Sequence, residues 1–383
     1  MNITLKRTDE QIELVKAMAS HNRDIAYEAQ AALAEFLAPV LAEVVNQANV
    51  ISNLFTTFTF DADSNPSLPL DLYYDINAED YIKVYSTSVP GGLPTNQVLP
   101  TMSELKFTTY RLDSAVSFDR RYAAQSRLDV VGKTFTRVAQ EILLKQQSTS
   151  ASLLIGSLVD AETNGEDHII PSAFTKNTSS PNGNGLTAAD FNDLITHAKR
   201  INTAWTGGTP EGGAPKGITD LMISPEVMGD LRAMSYNPVN TLAPAGRNIT
   251  ASSDAWVAAP DGFREKVFTG GGLPDFYGIN LMELNELGRR RKFTRVYSSL
   301  EGNNTSLPAW VPGDNEIAIG LDRSRESLIR AVATDAVSGA EFTLMADDQY
   351  SVRQQKIGYY GAVEEGRMVV DNRVLTGIVI RRR

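Results

Sequence analysis

The chain has no cysteine, so disulfide staples and thiolate metal sites are excluded and stability must come from packing or from association with other chains. Histidine is nearly as scarce. The three present, His21, His168 and His197, include no pair at the i, i+4 spacing that sets two metal ligands on one helix face, and each reads as a surface or loop residue. No unbroken apolar run approaches the ~18 to 20 residues that cross a bilayer, and the opening MNITLKRTDEQ lacks the apolar core of a signal peptide, so no membrane role is read and the chain reads as cytoplasmic. A surplus of positive charge is missing too: the net charge of -10 argues against a general DNA grip, though not against a container whose inner wall must leave DNA loose.

Catalytic and ligand motifs fail one at a time. No G-x-S-x-G elbow is present. Gly132-Lys133-Thr134 has Arg127 where a phosphate-binding loop needs glycine, and Gly270, Gly271 and Gly272 run into Leu273, Pro274 and Asp275, breaking a dinucleotide fingerprint. Asp61, Asp63 and Asn65 start like a calcium loop, but Pro66 and Leu72 occupy the glycine and glutamate positions. The pairs Asp347-Asp348 and Glu364-Glu365, and the run Arg289, Arg290, Arg291, Lys292, read as solvated loop ends. The expectation is a chain with no catalytic residue, no cofactor and no bound metal.

What is present is a soluble balance of 42% hydrophobic and 21% charged residues over 383 positions, enough for two or three compact units. Thr8 to Gln11 spell a T-x-x-Q capping box opening a helical arm over 1–52, in which Ile25, Ala29, Ala32 and Phe36 recur at helical spacing and Pro39 is expected to kink or break the helix. The arm packs on its own core or on a neighbour. Residues 53–112 turn extended and proline-rich, with strand-like runs at 80–88 and 104–112 around the tip VPGGLPTNQVLPTM, a long hairpin too poor in apolar area to stand alone.

Ser126 and Asp129 stand at cap spacing before the strongest helix signal, Leu128, Val131, Phe135, Val138 and Ile142, which should run to about Gly156. A polar loop at 160–186 leads to a helix capped by Thr187 and Asp190, with Phe191, Leu194, Ile195, Ala198 and Ile201 on its apolar face. The run ITDLMISPEVMGDLRAM then predicts a buried strand, Ser224 as N-cap, Pro225 at the first helical position and a short helix. Strands return in EFTLM, QYSVRQQKIGYYGAV and RVLTGIVI, with a turn at Asp371 and Asn372. The fold class is α+β.

This order of parts, with the segments TYRLDSAVSFDRRYAAQSRLDVVGKTFTRVAQEILLKQ, ITDLMISPEVMGDLRAM, VPGDNEIAIGLDRSRESLIR and DDQYSVRQQKIGYYGAVEEGRMVV, resembles the tailed-bacteriophage major capsid proteins of the Hong Kong 97-like fold over nearly the whole chain. The resemblance implies an N-terminal helical arm at 1–52, an extended hairpin loop (E-loop) at 53–112 overlapping a neighbour, a peripheral domain with a long spine helix from 113–185 and 335–383, and an axial domain at 186–334. It implies a structural protein of the virion, assembled in the host cytoplasm as hexamers and pentamers of itself into an icosahedral shell that encloses double-stranded DNA without reading its sequence. The family's long charged scaffolding leader is not seen before the arm, so either it was removed before residue 1 or scaffolding is a separate protein; the other partners would be a portal and a decoration protein.

The expected subunit-interface residues are Tyr81, Lys83, Tyr85, Pro90, Gly91, Gly92, Leu93, Pro94, Phe107 and Tyr110 of the loop, and Ile25 and Phe36 of the arm. Lys83 and Lys106, with Asn372 opposite, are read as solvated rather than as crosslinking groups. Three other readings are an encapsulin-like compartment shell, a phage tail or tube subunit, and, from a different class, a cytosolic α/β hydrolase with a histidine-lined pocket.

Overall fold

The computed structural model describes residues 8–48, 50–61, 67–69, 104–163, 168–172, 185–206, 217–236, 275–288, 291, 315–325, 327–334, 341–347 and 354–381. Two compact units are built from interleaved segments. The first takes 1–67, 106–151 and 328–368, the second 68–105, 152–327 and 369–383.

The first unit begins with helices α1 (Asp9–Met18) and α2 (Arg23–Ala48). Thr8 stands at the N-cap of α1, but its side chain makes no capping bond, and the Gln11 amide oxygen is buried without a partner, so the expected box does not close. The break between the helices is polar. Asn22 opens α2, its backbone oxygen accepting from the Ala26 N–H at 3.1 Å and its side chain from the Asp24 N–H at 3.2 Å. Of the two outcomes expected at Pro39, a kink or a break, the break does not occur: Pro39 lies inside α2, which runs on to Ala48. It stands on the exposed side together with Glu35, whose carbonyl loses its usual donor, so the orphan acceptor is turned toward water.

Strand β1 (Thr56–Asp61) lies parallel to β10 (Leu328–Thr334), β4 (Thr109–Asp119) lies antiparallel to β12 (Lys356–Val369), and β11 (Thr343–Asp347) also pairs with β12. These form one five-stranded sheet. Short strands β2 (Ser67–Pro69) and β3 (Glu104–Lys106) pair with each other in a two-stranded sheet. Residues 56–61 and 109–112, read from the sequence as parts of the loop, are therefore sheet strands, because each finds a full ladder of partners on β10 or β12. The predicted strand at 80–88 lies outside the described residues.

Helix α3 (Arg120–Ala124), capped by the Asp119 side chain, precedes α4 (Leu128–Thr163), whose 36 residues span about 54 Å at 1.5 Å per residue. The helix passes the predicted end at Gly156 because Leu158 and Ala161 continue its buried stripe. The expected cap at Ser126 is not formed: that residue has φ of 54° and a buried hydroxyl without a partner. Leu128, Val131, Phe135, Val138 and Ile142 are all buried, in one core with Val15, Met18, Leu33, Leu37 and Leu41 of the arm and with Tyr359. Phe135 meets Tyr359 edge-on at 5.1 Å, and Phe118 stacks on the same ring at 6.3 Å.

The second unit holds a mixed six-stranded sheet in the order β5-β13-β9-β6-β8-β7, with β5 (Ile169–Pro171), β6 (Asp220–Ile223), β7 (Asp275–Phe276), β8 (Ile279–Glu283), β9 (Asn315–Leu321) and β13 (Leu375–Arg381). Two predicted local signals form as read. At α5 (Ala188–Thr206) the Asp190 carboxylate accepts from the Thr187 N–H at 2.9 Å while the Thr187 hydroxyl accepts from the Asp190 N–H at 3.2 Å. At α6 (Pro225–Tyr236) the Ser224 hydroxyl accepts from the Val227 N–H at 3.2 Å, with Pro225 at the first helical position. Asp371 also turns the chain as expected, accepting from the Arg373 N–H at 2.9 Å.

The sheets partition the chain differently from the sequence-based boundaries. Strand β10, grouped there with 186–334, belongs to the first sheet, and β13, grouped with 335–383, lies inside the second between β5 and β9. Both are buried nearly end to end, so pairing with a central neighbour outweighs nearness in sequence.

Replacing Phe135 by alanine empties a fully buried ring site at the centre of the first core. Urea denaturation should show a loss of about 3–5 kcal/mol.

A candidate assembly surface and a buried charge cluster

Helix α2 is apolar on two sides. Its inner face, Leu33, Leu37 and Leu41, is almost wholly buried, while Ile25 and Phe36 on the outside are 48% and 56% exposed. At about 100° per residue, Ile25, Ala32 and Phe36 fall within an arc of about 40° on the side away from that core. Ala29 belongs with the buried residues instead. The helix is long and apolar enough, by length and composition, to span a bilayer. Its inner face is instead spent on the first core, which leaves the outer stripe as the surplus.

The arm is held in place. The Arg120 guanidinium donates to the Ala19 carbonyl at 2.8 Å and also to that of Ser20, gripping the turn between α1 and α2. The buried Tyr359 hydroxyl reaches the Met18 sulfur at 3.6 Å. Further large apolar side chains stand exposed on the first unit at Tyr27, Phe58 and Met345.

Of the loop residues expected at an interface, Tyr81, Lys83, Tyr85, Pro90, Gly91, Gly92, Leu93 and Pro94 lie outside the described residues. Phe107 is buried and Tyr110 half-buried within the chain's own first unit.

Tyr110 belongs to a cluster that the sequence reading missed. Glu365, taken there as part of a solvated loop end, is fully buried in the middle of β12. Its Oε1 accepts from the Tyr110 hydroxyl at 2.9 Å. Its Oε2 accepts from Arg330 Nε at 3.0 Å, Arg367 Nη2 at 3.1 Å and Gln146 Nε2 at 3.1 Å. Arg367 Nη1 also donates to the Gln146 carbonyl at 3.0 Å, and its guanidinium lies 5.7 Å from the Phe55 ring centre.

Burial sets the electrostatics here. It pushes the Arg367 guanidinium below its ordinary range, and the adjacent Glu365 charge opposes that fall. Burial, reinforced by Glu365, pushes the Tyr110 phenol well above its ordinary value of 10.0. Tyr359 is raised by burial alone. The available sequence signal was the spacing of Glu365 and Arg367, two apart and therefore on one face of a strand.

His168, read from the sequence as exposed or in a loop, is fully buried, with its Nδ1 2.8 Å from the Leu375 carbonyl oxygen, and so lines no open cleft. Among the described residues no three histidine or carboxylate side chains converge as metal ligands.

No protein-family model and no curated protein sequence matches the chain. Among solved structures it is similar to the holo-SrpI encapsulin complex from Synechococcus elongatus PCC 7942, at 10% identity and a TM-score of 0.45, covering 86% of each chain. It is also similar to a structure of Microbacterium phage Oxtober96, at 11% identity and a TM-score of 0.48 over 88% of this chain and 91% of that one. A third similar structure is the capsid of an empty GTA particle, at 11% identity and a TM-score of 0.49 over 88% and 90% of the two chains.

The two raised phenols make the fold sensitive to alkali. A phenol whose folded value lies above its unfolded value of 10.0 contributes stability that is complete below 10.0 and is lost progressively as pH rises from there toward the folded value. The urea midpoint should hold up to a pH of about 10 and fall as pH rises beyond it, and Tyr359→Phe should flatten that fall.

Proposed function

We propose that the chain is a major capsid protein of a tailed bacteriophage, assembling as hexamers and pentamers into an icosahedral shell around double-stranded DNA. The observation that carries this is the order of parts along the chain. A helical arm with a surplus apolar stripe comes first, then a long excursion that leaves one sheet at Asp61 and rejoins it at Thr109. A 36-residue helix and two sheets fed by interleaved segments complete it. An exposed stripe of this kind suits a subunit that meets identical copies around symmetry axes, where each small contact is multiplied.

In this reading α2 contributes Ile25 and Phe36 to a contact with a neighbouring copy, and α4 serves as the spine. The residues between β1 and β4 form the loop that overlaps the neighbour, with Tyr81, Lys83, Tyr85 and the 90–94 tip as contacts. The peripheral domain is taken as 113–185 with 335–383 and the axial domain as 186–334, and the pairing of β10 in the first sheet and β13 in the second supports exchanging those two strands between them. Scaffolding, portal and decoration proteins are the expected partners. DNA is enclosed without base recognition, in keeping with the net charge of -10.

Electron microscopy and sizing of the expressed chain, alone and with a co-expressed scaffold, test the reading. Closed shells are expected, and a stable monomer or dimer under both conditions, as the hydrolase reading requires, would sink it. Particles recovered from infected or induced cells should carry DNA, and shells that carry an enzyme instead would replace the phage assignment with an encapsulin-like one. The double variant Ile25→Asp/Phe36→Asp should lower shell yield at least about tenfold, since charges at the centre of an apolar contact are strongly disfavoured. Its unfolding midpoint should stay near the parent's, because both side chains are solvent-facing in the isolated chain.

A further inference from the structure

Strand β4 enters the first sheet beside a buried carboxylate, Glu365, which also reaches the start of β1 through two arginines. There, four residues before the end of β1 at Asp61, Thr57 is in register with Arg330 of β10, and Arg330 donates to Glu365 Oε2 at 3.0 Å. Phe55, immediately before β1, faces the guanidinium of Arg367, which donates to the same oxygen at 3.1 Å. On the returning side, Tyr110 of β4 is in register with Glu365 itself and donates to its Oε1 at 2.9 Å. The neighbouring Thr109 hydroxyl donates to Glu364 at 3.2 Å. Gln146 of α4 supplies the remaining donor to Oε2.

The composition of this cluster is unusual for a structural ion pair. Two guanidiniums share one carboxylate, so removing the carboxylate's charge leaves two buried cations facing each other. The Arg367 Nε is already buried without a partner, so the cluster has no spare acceptor to take over. Each of the three donors to Glu365 that come from other elements, Arg330, Tyr110 and Gln146, sits on a different one: β10, β4 and α4. Only β12 carries the carboxylate.

We propose that Glu365 is a positioning residue that ties the start of β1 and the first residues of β4 to one point of the sheet, and so fixes the placement of the two strands that bracket residues 62–108 in sequence. This rests on the capsid reading for its consequence, although the anchoring itself does not. The side chain is fully buried within the first unit. It acts through Arg330, Arg367 and Tyr110 on the strands they hold.

Hydrogen exchange read by mass spectrometry on Glu365→Gln, beside the parent chain, tests the anchoring. Amides of 56–61 and 109–112 should exchange at least about tenfold faster, while those of β9 and β13 keep the parent's rates. Exchange that rises evenly over α4, β12 and both sheets would reduce Glu365 to a general stability residue and overturn the proposal, as would no change at all. Should Glu365→Gln fail to fold, Tyr110→Phe decides: faster exchange confined to 109–112 supports the anchor, and unchanged exchange there overturns it.

Assembly gives the second readout. If the parent forms closed shells, Glu365→Gln should form several-fold fewer, with open or aberrant particles in their place, and normal shells at normal yield would overturn the positioning claim. If the parent forms no shells, the capsid reading fails while the exchange result still judges the anchor.

Discussion

A charge with no access to water has to be answered by its neighbours, and in the first unit that requirement falls on Glu365. An unpaired carboxylate at that depth would cost several kcal/mol or would take up a proton. Donors from β10, β4, α4 and its own strand converge on it instead. The geometry of that answer dictates much else. Strand β4 must enter the sheet at Tyr110, β10 must place Arg330 inward beside β1, and α4 must present Gln146 at the right height. The five-stranded sheet and the long helix are thereby tied at a point where neither could shift alone.

The arm poses the complementary problem, apolar area rather than charge. Helix α2 has one face that completes the core with α4 and β12 and another on which Ile25 and Phe36 stand exposed among the described residues. The turn before it is held by Arg120, so the helix presents that outer stripe at a fixed place. A fixed, exposed apolar stripe is a liability for a monomer and a contact for an assembly. The first unit thus offers an exposed apolar stripe that is anchored from within. Anchoring of this kind suits a subunit that must repeat the same contact many times over a closed surface.

Much of the local structure was legible because its causes are local. The reciprocal cap of Thr187 and Asp190, the Ser224-Pro225 helix start and the stripe from Leu128 to Ile142 each depend on residues within one or two turns, and each forms as the pattern indicates. The failures also have physical reasons. The cap spacing at Thr8 and Ser126 was present, but neither side chain makes a capping bond, and Ser126 takes a φ of 54° instead. Pro39 was tolerated because its missing bond faces solvent. Glu364 and Glu365 looked like a solvated pair because nothing near them in sequence announces Arg330 or Tyr110, 35 and 255 positions away.

By itself the sequence determined the α+β character, the helices and their buried stripes, and the lack of cysteine chemistry, since composition and short-range periodicity suffice for each. Tertiary structure alone decided which side of α2 meets the core, which sheet β10 and β13 join, and that a glutamate and two arginines share a dry site. Those outcomes depend on which distant segments meet, and a side chain's neighbours across a sheet leave no mark at fixed spacing in the chain.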